Sequence, residues 1–293
     1  MTTPNIGDSY KYAALAAASY VRMGQEVVQL INPPVPAVPG ERFATLAQDQ
    51  GRLPLVLGST LFNPADPGAS RWNILHYYGN DVAGVQDNSG FAATLFERSG
   101  EKVLAIRGSE PFSDQGVDLG SAGIGQIGVL GFALTQVVSM VNLIQRMRAE
   151  PGSPAVQIRV NASLVPPGGD YLTVAGIPPM FLSFRTYMAE GVGGIAPGET
   201  IKVTGHSLGG HLAYMAARLF PGVVDPQVHV YNAAGYDPTT ASFVGLGGAI
   251  GVALTAAAKI YLTAEFGIAA AGVLPGANQL TEPALDLIVS ALR

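Results

Sequence analysis

The chain of 293 residues contains no cysteine. That excludes disulfides, thiolate metal sites and a Cys nucleophile, and it leaves the redox compartment undecided. Charge is scarce as well: Asp, Glu, Lys and Arg make up 13% of the residues, about half the usual fraction. The net charge is −5 and there is no basic cluster to neutralise phosphates, so nucleic acid is excluded as a partner. The N-terminal stretch MTTPNIGDSYKYAALAAASY lacks the basic start, apolar core and cleavage site of a Sec-type leader. The expected location is therefore the cytoplasm, or the outside by a non-Sec route. Among the four His, no two stand near carboxylates at ligand spacing, so no metal site is expected. A phosphate-binding loop is missing too. Gly123, Gly125 and Gly128 have the GxGxxG spacing but follow no strand of a βαβ unit.

What the chain does have is apolar content of 48% and long stretches without charge. Its length allows one large domain with a sizeable core. Residues 119–145, LGSAGIGQIGVLGFALTQVVSMVNLIQ, are uncharged, as is the run between Asp237 and Lys259. The first is long enough to cross a bilayer. Its glycines, with Gln126, Gln136, Ser139 and Asn142, point instead to buried or interfacial helix covering a site. Lipid-interface contact is expected rather than a membrane span.

Composition and periodicity place a helix over residues 10–22, an extended Pro-rich loop over 32–40 and loop-rich chain over 53–90. A hairpin follows, with arms 91–98 and 102–108 about Ser99-Gly100 and a second arm apolar enough for a central strand. Residues 156–165 and 171–176 read as strands of a small hairpin flanking Pro-Pro-Gly-Gly. Residues 179–191 read as a helix, 200–205 as a β-branched strand, and the segment after it as a helix ending at Pro221. Strands are expected at 227–235, reading as buried, and at 259–264, with an amphipathic helix at the C-terminus. There are no internal repeats. Alternating strand and helix in the second half predicts an α/β fold with a mostly parallel central sheet, flanking helices and helical lid-like insertions. The expected organisation is a single domain: a helical and loop-rich part over 1–90, a core over 91–267 and the last helix over 268–293.

One stretch carries chemistry. TIKVTGHSLGGHLAYMAARLF runs a β-branched strand into Gly-x-Ser-x-Gly and leaves it as a helix. That is the context of a nucleophile elbow, the mark of an α/β hydrolase. Ser207 sits at the tight turn, Gly205 and Gly209 let strand and helix approach, and the Leu208 N–H points where negative charge develops. His206 is the variable residue of the pattern, with a side chain leaving Ser207 in another direction. His211, one helical turn on, reads as a packing or helix-surface residue, and His229 as a structural one in its strand. His76 lies far upstream among aromatics.

GHSLGGHLA, together with VLAIRGSE upstream, ARLFP after the elbow and YNAAGYDP after the next strand, resembles the class 3 lipases. The likeness is greatest to the lipase-like domains of bacterial proteins exported with calcium-binding nonapeptide repeats. It covers roughly residues 91–267, and the repeats themselves are absent from the chain. The resemblance implies a lipase or esterase cleaving apolar acyl esters, with Ser109, after Arg107 and Gly108, lining the oxyanion hole. Calcium is implied by the resemblance alone, and no other cofactor is expected. The candidate lids are residues 119–145 and 245–258.

A serine hydroxyl needs a base oriented by a carboxylate, and in this fold the order is Ser, acid, His. The acid normally follows the second strand after the elbow, which makes Glu265 the first choice and Asp237, after the preceding strand, the alternative. No His follows His229. Where the resemblance expects one, the chain reads GVLPGANQLTEPALDLIVSALR. Three accounts stand: a base beyond Arg293, a relative that binds rather than cuts, or a base that is not His.

Overall fold

The computed structural model describes residues 6–22, 57, 61, 72–79, 89–109, 133–168, 172–174 and 180–234. The chain divides into two compact units. One is formed by Met1–Ile124 with Gly198–Gly235, the other by Gly125–Pro197 with Tyr236–Arg293.

The first unit is α/β. Its five-stranded sheet has the order β1 (Asn73–Tyr78), β2 (Ala93–Arg98), β3 (Glu101–Ile106), β7 (Lys202–His206) and β8 (His229–Tyr231). β1, β2 and β3 run antiparallel, whereas β3, β7 and β8 run parallel, so the described sheet is mixed. The β2–β3 hairpin turns on two residues, with Ser99 at φ 52° and Gly100 at φ 83°. Both signs are positive, as a hairpin turn matched to right-handed strand twist requires. Val103, Leu104, Ala105 and Ile106 are fully buried, as expected for a central strand.

β7 carries helices on both faces. Thr204 donates from Oγ1 to the carbonyl of Tyr12, on α1 (Ile6–Ala18), at 3.1 Å. The next residue, Gly205, faces the backbone of α3 (Leu208–Leu219). Successive strand residues point to opposite faces, so α1 and α3 sandwich the strand. α1 packs through Tyr12, Leu15 and Ala18 into a core with Trp72, Phe96 and Val103. At its rim Tyr12 Oη donates to Glu101 at 2.6 Å, and Lys11 pairs with the same carboxylate at 2.9 Å.

Two expectations fail here. Residues 73–78, within the stretch read as loop-rich, form β1: Ile74, Tyr77 and Tyr78 favour a pleated, half-buried surface, and the strand is added at the first described position of the sheet with an irregularity between Ile74 and His76. The strand at 227–235 is shorter than expected and half-exposed rather than buried, with Val230 39% accessible at the last described position in the sheet.

The second unit holds α2 (Leu134–Arg148) and a three-stranded antiparallel sheet in the order β4 (Pro154–Ser163), β6 (Met180–Glu190), β5 (Leu172–Val174). The helix expected over 179–191 is therefore a strand. Phe181 and Tyr187 favour β structure, and β6 pairs with β4 from Phe181 to Glu190. The expected hairpin of 156–165 with 171–176 does not form either, because β6 lies between its two arms. The polar residues of the uncharged run have a packing role. Asn142 grips Ile158 by both backbone groups, at 2.8 and 2.7 Å, and so locks α2 to β4. Gln136 and Ser139 are buried in the same helix. Among the described residues no helix is long and apolar enough to cross a membrane. Residues 111–132, the lid candidate at 245–258, the strand at 259–264 and the C-terminal helix lie outside the described residues.

Candidate active site

The turn from β7 to α3 is built by close backbone approach. A Cβ at Gly205 would collide with the carbonyl of Gly209 and lie 2.7 Å from the N of Gly210. One at Gly209 would strike the carbonyl of Ile106 and come within 2.8 Å of Arg107 C. These glycines let β7, α3 and the end of β3 converge at one point.

Ser207 stands at that point with φ 55° and ψ −125°. Glycine occupies this region freely; a residue with a Cβ is strained there by about 1–3 kcal/mol. Backbone hydrogen bonds hold it: Ser207 N–H donates to Tyr231 O at 3.0 Å, and Ser207 O accepts from Gly210 at 3.0 Å and Ala234 at 3.0 Å. The side chain takes no part, since Ser207 occupies the cap position of α3 without a side-chain cap bond. Its Oγ is presented at the C-terminal end of a parallel strand, where the helix N-terminus favours negative charge. The N–H of Leu208, first in α3, has no place in the helix's own hydrogen-bond ladder and can serve a ligand.

Beside the elbow runs Arg107-Gly108-Ser109. Gly108 lies so close that a Cβ there would come 3.2 Å from Ser207 Cβ and collide with the His206 carbonyl and the Tyr20 hydroxyl. Arg107 is buried, with its guanidinium bonded to Gly90 O at 3.4 Å and its N–H to Ala92 O at 3.0 Å. It anchors the segment behind the site. Ser109 Oγ is buried and has no hydrogen-bond partner among the described residues. An unsatisfied buried hydroxyl costs about 1–3 kcal/mol, and such a group points to a ligand that completes it.

The four His are placed individually. His76 is on β1, separated from β7 by the two strands β2 and β3. His206 accepts or donates through Nδ1 to Tyr20 Oη at 3.1 Å. His211 is buried on α3, where burial pushes its pKa down against a hydrogen bond with the Ala234 backbone. His229 stacks on the ring of Tyr12 at 3.8 Å; burial, and next Lys202, lower its pKa. Of the packing and helix-surface roles open to His211, its burial fits the first, and the stack on Tyr12 fits a structural His229. No hydrogen bond joins Ser207 Oγ to any of the four. Both acid candidates, Glu265 and Asp237, lie outside the described residues. Asp225 pairs with Lys202 at 3.0 Å, at the opposite end of β7 from Ser207. Among the described residues no group of His, Asp and Glu is arranged to hold a metal ion.

Tyr20, just past α1, escaped the sequence reading. Its hydroxyl reaches the elbow from 186 positions upstream, and no local pattern marks it. Compared with known proteins, the chain matches no family model, no curated protein and no solved structure.

Proposed function

We propose that the chain is a serine carboxylic-ester hydrolase with an α/β-hydrolase-like fold, of the lipase or esterase type, acting on apolar acyl esters. The observation that carries this reading is the backbone of Ser207, a non-glycine residue held at φ 55° between a parallel strand and a helix. A strained conformation is retained where it serves a function, and here it serves to expose one hydroxyl. Support comes from the buried Ser109 Oγ beside it, without a partner among the described residues, and from the N–H of Leu208, which as the first residue of α3 lies outside the helix's own ladder. In this reading Ser207 Oγ forms a bond to the ester carbonyl carbon, and Ser109 and Leu208 donate to the oxygen that becomes negative. The serine proton passes to a base, with Glu265, or else Asp237, as the orienting acid. The likeness to class 3 lipases rests on the motifs GHSLGGHLA and VLAIRGSE.

A second reading, a hydrolase-like domain that binds without cutting, is favoured by the placement of the His side chains: His206 bonds Tyr20, His229 stacks on Tyr12, His211 is buried and His76 lies on β1. Losing a triad member costs several orders of magnitude in rate, although the oxyanion hole sustains some catalysis. A fluorophosphonate probe separates the two readings. Rapid labelling mapped to Ser207 by mass spectrometry, and absent in Ser207→Ala, supports the hydrolase. Labelling no faster than in the alanine variant supports the binding domain. A series of acyl esters then tests the substrate: activity confined to acetate refutes an apolar acyl preference.

A further inference from the structure

We infer that Tyr20 is a positioning residue of the Ser207 site: its hydroxyl, bonded to His206, holds the Gly108-Ser109 segment against the elbow. This rests on the reading of Ser207 as a nucleophile. Three observations converge. The Tyr20 hydroxyl and His206 Nδ1 are 3.1 Å apart, which ties the chain beyond α1 to the residue preceding Ser207. The same hydroxyl and the His206 carbonyl occupy the space in front of the Gly108 Cα, next to Ser207 Cβ. The residue after Gly108 is Ser109, whose Oγ is buried and without a partner among the described residues. Three segments distant in sequence thus meet at one glycine, and the phenol oxygen wedges between two of them.

The chemistry of the pair suits a permanent tie. A phenol both donates and accepts, and a His nitrogen does either according to tautomer and charge. The Tyr20–His206 bond therefore forms with either tautomer of the ring, the phenol donating in one and accepting in the other. Ring contact adds to it, at 6.1 Å between centroids in an edge-on arrangement. An oxyanion donor acts only if aimed at where charge develops, and a displacement of about 1 Å can cost on the order of a hundredfold in rate. Removing the Tyr20 hydroxyl leaves room for Gly108 to shift, and Ser109 shifts with it.

The test compares second-order rates of fluorophosphonate inactivation for the wild type, Ser207→Ala, Tyr20→Phe, His206→Ala and His206→Asn. Asn places a polar atom close to the position of His Nδ1. The expected result is a fall of about tenfold or more for Tyr20→Phe and for His206→Ala, no further fall in the double variant Tyr20→Phe/His206→Ala, and recovery in His206→Asn. In ester hydrolysis the loss falls on kcat with KM unchanged. Wild type no faster than Ser207→Ala overturns the hydrolase reading and this inference together. A reactive wild type with Tyr20→Phe equally reactive overturns the inference alone. So does a folded Tyr20→Phe whose loss multiplies with that of His206→Ala, because the two groups then act separately.

Discussion

Strain at Ser207 has a consequence for stability that is independent of any substrate. With φ 55° and ψ −125°, the residue lies where a Cβ costs about 1–3 kcal/mol and glycine costs little. Ser207→Gly removes that cost. It also adds freedom to the unfolded chain, worth about 0.5–1 kcal/mol in the other direction. The hydroxyl itself is no loss, because Ser207 makes no side-chain cap bond to α3. Ser207→Ala keeps the Cβ and the strain and deletes only the hydroxyl, which makes it the proper reference. The glycine variant is expected to exceed the alanine variant by about 1 kcal/mol, or roughly 2–4 °C in melting temperature for a chain of this size. Urea unfolding followed by circular dichroism gives the difference from the midpoints, provided the two slopes agree. A glycine variant equal to or less stable than the alanine variant would show that no strain is stored at the turn, and the elbow geometry would lose its energetic signature.

Gly205→Ala should do the reverse. Its methyl meets the backbone of Gly209 and Gly210, which have no flexible side chain to yield, so a loss of about 1–3 kcal/mol and of any Ser207 labelling is expected; an alanine variant of wild-type midpoint would refute the close approach. Stability should also fall with acid in two steps. Burial lowers the pKa of His211 and His229, so both stay neutral in the fold while the unfolded chain takes up protons below about pH 6.5, and their contribution fades as pH falls from there. Burial opposes the charge on Glu101, but hydrogen bonds from Tyr12 and Lys11 outweigh it and hold the carboxyl below its usual range. Its contribution is full above about pH 4.3 and lost below. Urea midpoints at pH 7.5, 5.5 and 3.5 should decline in that order, and a midpoint at pH 5.5 equal to that at 7.5 would count against the buried His.

The parts legible in the sequence are those fixed by local physics. A β-branched strand, glycines at spacing two about Ser207, and a helix stopped at Pro221 describe an elbow with no reference to the rest of the chain. The β2–β3 hairpin was legible for the same reason: alternation on one arm, a Ser-Gly turn, an apolar return. β6 was not, because PMFLSFRTYMAEG mixes aromatics with good helix formers. The strands on either side of it, the ten-residue β4 and the short β5, decide the outcome. β1 was missed likewise: NILHYY is short, and its hydrogen bonds come from β2.

The candidate site divides along the same line. Ser207, Leu208, Gly205 and Gly209 are one turn of chain and could be read off directly. Ser109 needed a resemblance; in the structure its hydroxyl is buried, without a partner among the described residues, just past the strand that pairs with β7. Tyr20 could not be found by either route. It follows an alanine-rich helix whose composition speaks only of packing, and its hydroxyl gains meaning from a glycine and a His brought to it by two other segments. Gly108 is the residue that makes this meeting sterically possible. Any side chain there would have to displace the Tyr20 hydroxyl, the His206 carbonyl or the elbow itself. The glycine of Arg107-Gly108-Ser109 thus has the same function as the glycines of the elbow, close approach of backbones, and the two motifs are one construction seen from two strands.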